Sequence, residues 1–408
     1  MHSYLNSQIP PPIMQGTPPP AEWRVPMIDW DRPPWNRWSF QHIQQILPTA
    51  PVRRGRTVSA LPEAHEAIEE VGFEALHGLT TVAQWIDHSY TDGLLVLKDG
   101  TIAHESYYNG MTAQSLHLAQ SVSKSVTSTA ASTLIEDGLL DPAAPVSDPL
   151  PELAHTAWAG ATLQQVMDMT SGVQFNESDY ANRASDIGKM DVAAGWKPVP
   201  HGFEHEYWPS CIWDQILSMH VKDAEHGARF LYRSIETDVL AHAMERVTGQ
   251  RLPQIVSERL WAPLGAQEHA HFTVDAAGYG LSCGGFSATL RDFGRMGLAY
   301  LNDGKVGKKQ VIPKAWVDDI RNGQHGLFDD YGRNYFANGR YRNQFWIEDD
   351  DQMGHLCLGV FGQIIYVSPE REMVFVKLST WPEFTNPDRM QDCMSAFRAI
   401  AQALGRDL

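Results

Sequence analysis

The sequence predicts a mixed α/β fold of the α+β type, an antiparallel β-sheet flanked by helices with a mainly helical domain inserted into it. Three observations predict this. Hairpin signals lie toward both ends of the chain, helical periodicity dominates the stretch between them, and 408 residues suffice for such a two-part unit. Apolar residues make up 43% and charged residues 20%, which is ordinary globular composition. The formal net charge of −17 sets the protein against polyanions, so nucleic-acid binding is excluded as a leading function.

The first 51 residues hold 11 of the 25 prolines together with Trp23, Trp30, Trp35 and Trp38. Proline blocks regular helix and sheet, while tryptophan is costly to leave in water. Residues 1–55 are therefore expected to be an extended arm packed on the body. Next, the run from Gly93 to Tyr108 reads as two strands joined at Asp99-Gly100, a dipeptide that tolerates the positive φ of a tight turn. Helical spacing follows from Val122 to Asp137, closed by Gly138, and from Thr237 to Val247, with Gly249 just beyond. A second hairpin, Ile364–Val367 and Met373–Leu378, precedes a helix over Met390–Leu404. The expected organisation is a sheet domain from 56–115 and 286–408, and a helical domain over 116–285, with the active site at their junction.

The polar, proline-broken start lacks the apolar run of an export signal, and no stretch reaches the roughly 20 apolar residues of a membrane span. A cytoplasmic protein with no membrane partner is expected. Cys211, Cys283, Cys357 and Cys393 are far apart, with no CxxC pair, and read as free thiols.

The sharpest local feature is Ser121-Val-Ser-Lys124 at the start of the first long helix, described as apolar-faced from its sequence. Residues i and i+3 share a helix face, and a lysine desolvated near the positive helix end can lose its proton and activate a serine. Ser121 would attack and Lys124 would be the base. With 25 serines and 10 lysines, chance alone supplies roughly 0.6 such pairs, so context decides.

That context resembles the serine hydrolases of the penicillin-recognising fold, which include class C β-lactamases and related esterases. The resemblance implies a β-lactamase/transpeptidase-like architecture. It also implies a tyrosine box about a hundred residues after the serine, and Tyr232-Arg-Ser234, followed by a helical stretch, fits it. Tyr107-Tyr-Asn109, Tyr180-Ala-Asn182 and Tyr341-Arg-Asn343 match the bare spacing but lack one or other of those features. In family terms Tyr232 protonates the leaving group, and the backbone N–H groups of Ser121 and Val360 form an oxyanion hole. Val360 lies in Leu358-Gly-Val-Phe-Gly-Gln363, and the chain has no K-[ST]-G sequence.

Within the family the chain is most similar to the branch that hydrolyses linear 6-aminohexanoate oligomers and carboxylic esters. Pro34–Phe40, Ser121–Ser125, Asp238–Ala241 with Glu245–Gly249, Gly284-Gly285 before Arg291-Asp292, and Lys377–Pro382 carry that likeness. It implies substrate contacts from Tyr180, from Asp191 five residues before Trp196, and from position 283. Asp191 would favour an ammonium end. Where that branch has asparagine this chain has Cys283, which removes a side-chain hydrogen bond and bears more on amide than on ester cleavage.

The expected activity is therefore a serine hydrolase that cleaves short-chain carboxylic esters, and linear amides such as the 6-aminohexanoate dimer, through an acyl-enzyme. No cofactor is implied; the partners are a small-molecule ester or amide and, by resemblance, a second copy of the chain in a homodimer. The alternative is a β-lactamase or D-alanyl peptidase-type hydrolase. A remote alternative is a zinc peptidase, because His201-Gly-Phe-Glu204-His205 has the H-x-x-E-H spacing, although prolines around it oppose the required helix. His269 and His271 read as core or surface groups, and Asp349-Asp-Asp351 as a solvated turn.

Overall fold

The computed structural model describes residues 7–178, 180, 182–322, 330–348 and 354–405. The Asp349–Asp351 run lies outside them. The main sheet has seven strands, all antiparallel, in the order Arg340–Arg342, Phe345–Ile347, His355–Gly359, Gln363–Ser368, Met373–Ser379, Thr91–Lys98 and Thr101–Tyr107. Strands from early and late in the chain thus meet within one sheet, where Met373–Ser379 pairs with Thr91–Lys98. The first hairpin turns at Asp99 and Gly100, with φ of 50° and 74°, the left-handed pair that matches strand twist.

Alternation along these strands divides the core between the two faces of the sheet. Leu95, Leu97, Val374 and Val376 belong to one buried cluster, while Leu94, Val96 and Phe375 belong to the other. The helix Pro387–Leu404 covers the second face, with Phe397 stacked 4.7 Å from Phe375. The helix Leu290–Leu301 covers the first at such close range that a Cβ on Gly294 or Gly297 would come within 2.4 Å of Leu95 or Val374. Glycine is required there by proximity.

The stretch between the sheet halves holds the helices Val122–Glu136, Asp186–Ala193, Ile212–Leu217 and Ile235–Thr248. Gly249 ends the last of them in the left-handed conformation, φ 66°. A smaller four-stranded sheet, ordered Thr49–Val52, Ala270–Thr273, Phe286–Ala288, His117–Leu118, ties the N-terminal segment to this region. That segment is not wholly irregular: besides the strand at 49–52 it forms a helical turn at Asn36–Ser39, and Trp30 and Phe40 are fully buried.

The helix Val122–Glu136 differs from the sequence expectation in one respect. Instead of an apolar face and a wet one, it is buried on nearly every side. Its hydroxyls are satisfied individually, Ser125 by the Gln344 carbonyl at 2.8 Å, Ser128 by the Asn343 carbonyl at 2.9 Å, and Thr129 by the Tyr300 hydroxyl at 2.7 Å.

Two histidines, the buried His271 and the half-buried His242, are held in the neutral form. Burial alone pushes His271 down to about 4, and burial, only partly offset by the Asp238 carbonyl, pushes His242 down to about 4. The unfolded chain takes up a proton at each below about pH 6.5 and the folded chain only below about pH 4, so stability is lost as pH falls through that window. Urea midpoints should drop between pH 7 and pH 4.5 by roughly 1–3 kcal/mol per histidine. His271→Leu should flatten the slope; an unchanged slope would show that His271 finds a partner when charged.

Candidate active site

The strand His117–Leu118 leads into a sharp turn in which Gln120, a non-glycine residue, holds φ at 50°. Ser121 follows, half-buried, immediately before the helix Val122–Glu136. One helical turn on, Lys124 is buried, and its Nζ donates to Ser121 Oγ at 2.8 Å and to the Cys283 carbonyl at 2.8 Å. The Tyr232 hydroxyl is hydrogen bonded to both Ser121 and Lys124, and Lys124 Nζ lies 5.1 Å from the Tyr232 ring centroid. Trp346, stacked at 5.5 Å, and Tyr341, edge-on at 6.1 Å, hold that ring in place. Residues 121, 124 and 232 therefore form one hydrogen-bonded group.

The electrostatics differ in balance from the simple expectation of a desolvated, neutral lysine. Burial acts in that sense on Lys124 and is the largest influence, but negative charge on Tyr232, Cys283 and Glu177 would outweigh it, leaving the amine raised. Burial in turn raises the Tyr232 phenol and lifts the Cys283 thiol well up, so neither is an anion at neutral pH. Lys124 and Tyr232 are thus two titratable groups in direct contact, both within hydrogen-bond reach of Ser121.

A carboxylate that the sequence reading missed sits beside them. Glu177 is 9% exposed, accepts from the Ser234 hydroxyl at 2.6 Å and backbone N–H at 2.5 Å, and accepts from the Tyr180 hydroxyl at 2.9 Å. It thereby ties the end of the tyrosine box to the Tyr180 loop. In sequence Glu177 is one acid in a polar run, and nothing there separates it from a solvated loop residue.

Opposite the serine turn, Gly359 ends the strand His355–Gly359 so close that an added Cβ would lie 2.5 Å from the Ala119 carbonyl. Val360 follows, with Gln363 Nε2 bracing the turn through the Phe361 carbonyl at 3.2 Å and the Ser379 carbonyl at 2.7 Å. Neither the Ser121 nor the Val360 N–H is spent on another group among the described residues. Two free donors at the mouth of the same cleft suit an oxygen that gains negative charge.

Ser121 and Val360 line two adjoining lobes. One also contains Tyr180, Asp191, Trp196 and Cys283. The other is lined by Tyr232, Trp346, Ile364 and Met390 and is largely apolar. Asp191 is in the first lobe, but its carboxylate is already bound at 2.8 Å by Lys197, which also binds Asp31 at 2.8 Å. Trp196 is fixed by its Nε1 donating to Thr273 Oγ1 at 2.9 Å. The Cys283 side chain is hydrogen bonded to the buried Asp238, and its main chain holds Lys124. Asp31 and Arg32 come from the N-terminal segment, which the sequence had marked only as a packed arm.

The zinc-peptidase alternative fails on geometry. His201 through His205 lie in exposed turns rather than on a helix; the His201 side chain is fully exposed and meets only Glu204, at 3.2 Å. Among the described residues no three His, Cys, Asp or Glu side chains are grouped to hold a metal ion. No helix among them is long and apolar enough to cross a membrane.

Known proteins share this architecture. A family model for beta-lactamase matches residues 82–392. The chain is 35% identical, over 90% of its own length and 91% of the relative's, to the 6-aminohexanoate-dimer hydrolase of Paenarthrobacter ureafaciens. A solved structure from Bacillus anthracis, provisionally named a 6-aminohexanoate-dimer hydrolase, superposes with a TM-score of 0.86 at 26% identity, covering 96% of this chain and 99% of that one. EstCE1, a hydrolase with promiscuous acyltransferase activity, shares the fold at a TM-score of 0.62 and 18% identity, covering 78% and 96%. With its serine, lysine and tyrosine gathered at the cleft and a match of this extent, the chain belongs to the beta-lactamase family and is a serine hydrolase of that fold.

Proposed function

We propose that the protein hydrolyses short-chain carboxylic esters, and linear amides more slowly, through an acyl-enzyme on Ser121. The observation that carries this reading is the Ser121 hydroxyl held 2.8 Å from a buried lysine amine at the meeting point of two lobes of one cleft. Ser121 Oγ attacks the carbonyl carbon, and its proton passes to Lys124 within the Lys124–Tyr232 pair. The oxyanion is held by the N–H groups of residues 121 and 360. Collapse breaks the bond to the leaving group, which takes a proton from the Tyr232 hydroxyl; water then attacks the acyl carbon and restores the serine. The names of the two 6-aminohexanoate-dimer hydrolase relatives support linear amides as a substrate class. The Cys283 position supports esters as the faster one, because an ester leaves more readily without a side-chain amide to orient it.

Ser121→Ala should lower kcat on a p-nitrophenyl ester by about 10³ or more, and intact mass should show a trapped acyl group on the native chain only. Near-native turnover by the variant would overturn the assignment. Tyr232→Phe separates the acid from the base. A p-nitrophenolate needs no proton to leave and an alkoxide does, so the variant should lose about 10²-fold more activity on an ethyl ester than on a p-nitrophenyl ester. Equal losses would show that the phenol does not protonate the leaving group.

A further inference from the structure

The lobe that contains Tyr180, Asp191 and Trp196 holds an ion cluster that the reaction above does not use. After the helix Asp186–Ala193 the chain reverses through Gly195, φ 71°, and the backbone N–H groups of Trp196 and Lys197 both donate to the Asp191 carbonyl, at 2.8 and 3.2 Å. This turn folds the Lys197 side chain back onto the Asp191 side chain. Lys197 is only 8% exposed, and its Nζ lies 2.8 Å from Asp191 Oδ2 and 2.8 Å from Asp31 Oδ2. All three residues line the same cavity as Ser121.

Resting on the hydrolase reading, we infer that Lys197 determines acyl-chain specificity: its own ammonium fills the place at Asp191 where a substrate cation would bind, so the lobe accepts uncharged acyl chains. Burial works against the Lys197 charge, but Asp191 and Asp31 outweigh it and hold the amine raised, hence protonated. The lining carries no net formal charge, since Asp31, Glu177 and Asp191 are matched in number by Arg32, Arg183 and Lys197. An incoming ammonium would either displace Lys197 from two carboxylates or lie beside a like charge, and both cost binding. An alkyl chain meets no such conflict. Ile187, Met190, Trp196 and Phe384 offer it apolar wall in the same cavity.

The pair p-nitrophenyl heptanoate and p-nitrophenyl 6-aminohexanoate tests this, because they differ only in a methyl against an ammonium at the chain end. The native enzyme should favour the heptanoate in kcat/KM by about tenfold or more. Lys197→Met should move the ratio toward the ammonium ester by a similar factor. So should Lys197→Met combined with Asp31→Asn, which avoids leaving two buried carboxylates unpaired, and adding Asp191→Asn should cancel the shift. Native preference for the ammonium ester would overturn the inference even if no variant folded, as would an unmoved ratio in folded, active variants. Failure of the native enzyme to turn over either ester would count instead against the hydrolase reading.

Discussion

A buried amine organises the site. Lys124 has no water to solvate it, and an unpaired buried charge costs several kcal/mol, so its surroundings are built to serve either protonation state. The Cys283 carbonyl accepts from the amine at 2.8 Å whether it is charged or neutral, Ser121 lies 2.8 Å away, and the Tyr232 phenol completes the shell. Each partner comes from a different part of the chain, Cys283 being 159 residues beyond the lysine. The site therefore forms only when the helical region has closed over the serine helix. This explains why that helix is buried on nearly every side and why its other hydroxyls, those of Ser125, Ser128 and Thr129, are used as tethers rather than exposed.

The same group bears on what acts as base. A serine proton has to reach a site that is empty at the moment of attack and full when the leaving group departs. In the proposed reaction that site lies in the Lys124–Tyr232 pair: raising of the Lys124 amine depends on neighbouring negative charge, and two of its sources, Tyr232 and Cys283, are themselves held protonated by burial. Tyr341 and Trp346 pack against the phenol ring and hold it in place.

Features that act over a few residues were legible in the sequence. Asp99-Gly100 marks its turn because the required φ is a property of those two residues, Gly249 marks a helix end for the same reason, and the serine and lysine share a face by helix geometry alone. Features made by distant contacts were not. Glu177 acquires meaning from Ser234, 57 residues away, and the Lys197–Asp31 pair spans 166 residues. The N-terminal segment shows the same limit: its prolines foretell irregular backbone and its tryptophans foretell burial, but nothing local says that Asp31 and Arg32 enter the cleft. The serine helix is buried beyond its apolar face because its hydroxyls each meet a carbonyl or hydroxyl, partners such as Gln344, Asn343 and Tyr300 that lie far off in sequence.

The absence of K-[ST]-G also takes on physical content. In β-lactamases that motif brings a cation to the substrate carboxylate, and the strand Met373–Ser379 of this chain does carry a lysine, Lys377. Its amine, however, is fully buried, donates to the Ser89 carbonyl at 3.2 Å and to the Ser379 hydroxyl, and lies near the rings of Trp85 and Trp381. Desolvation, with too little compensating negative charge, pushes it down to about 8. That cation is enclosed within the body of the protein and is not presented to a ligand. The two lobes differ accordingly: one is largely aromatic and aliphatic, and in the other Lys197 is paired with Asp191 and Asp31. In the proposed reaction, stabilisation falls mainly on the N–H groups of residues 121 and 360, which interact most strongly once the carbonyl oxygen has become an oxyanion.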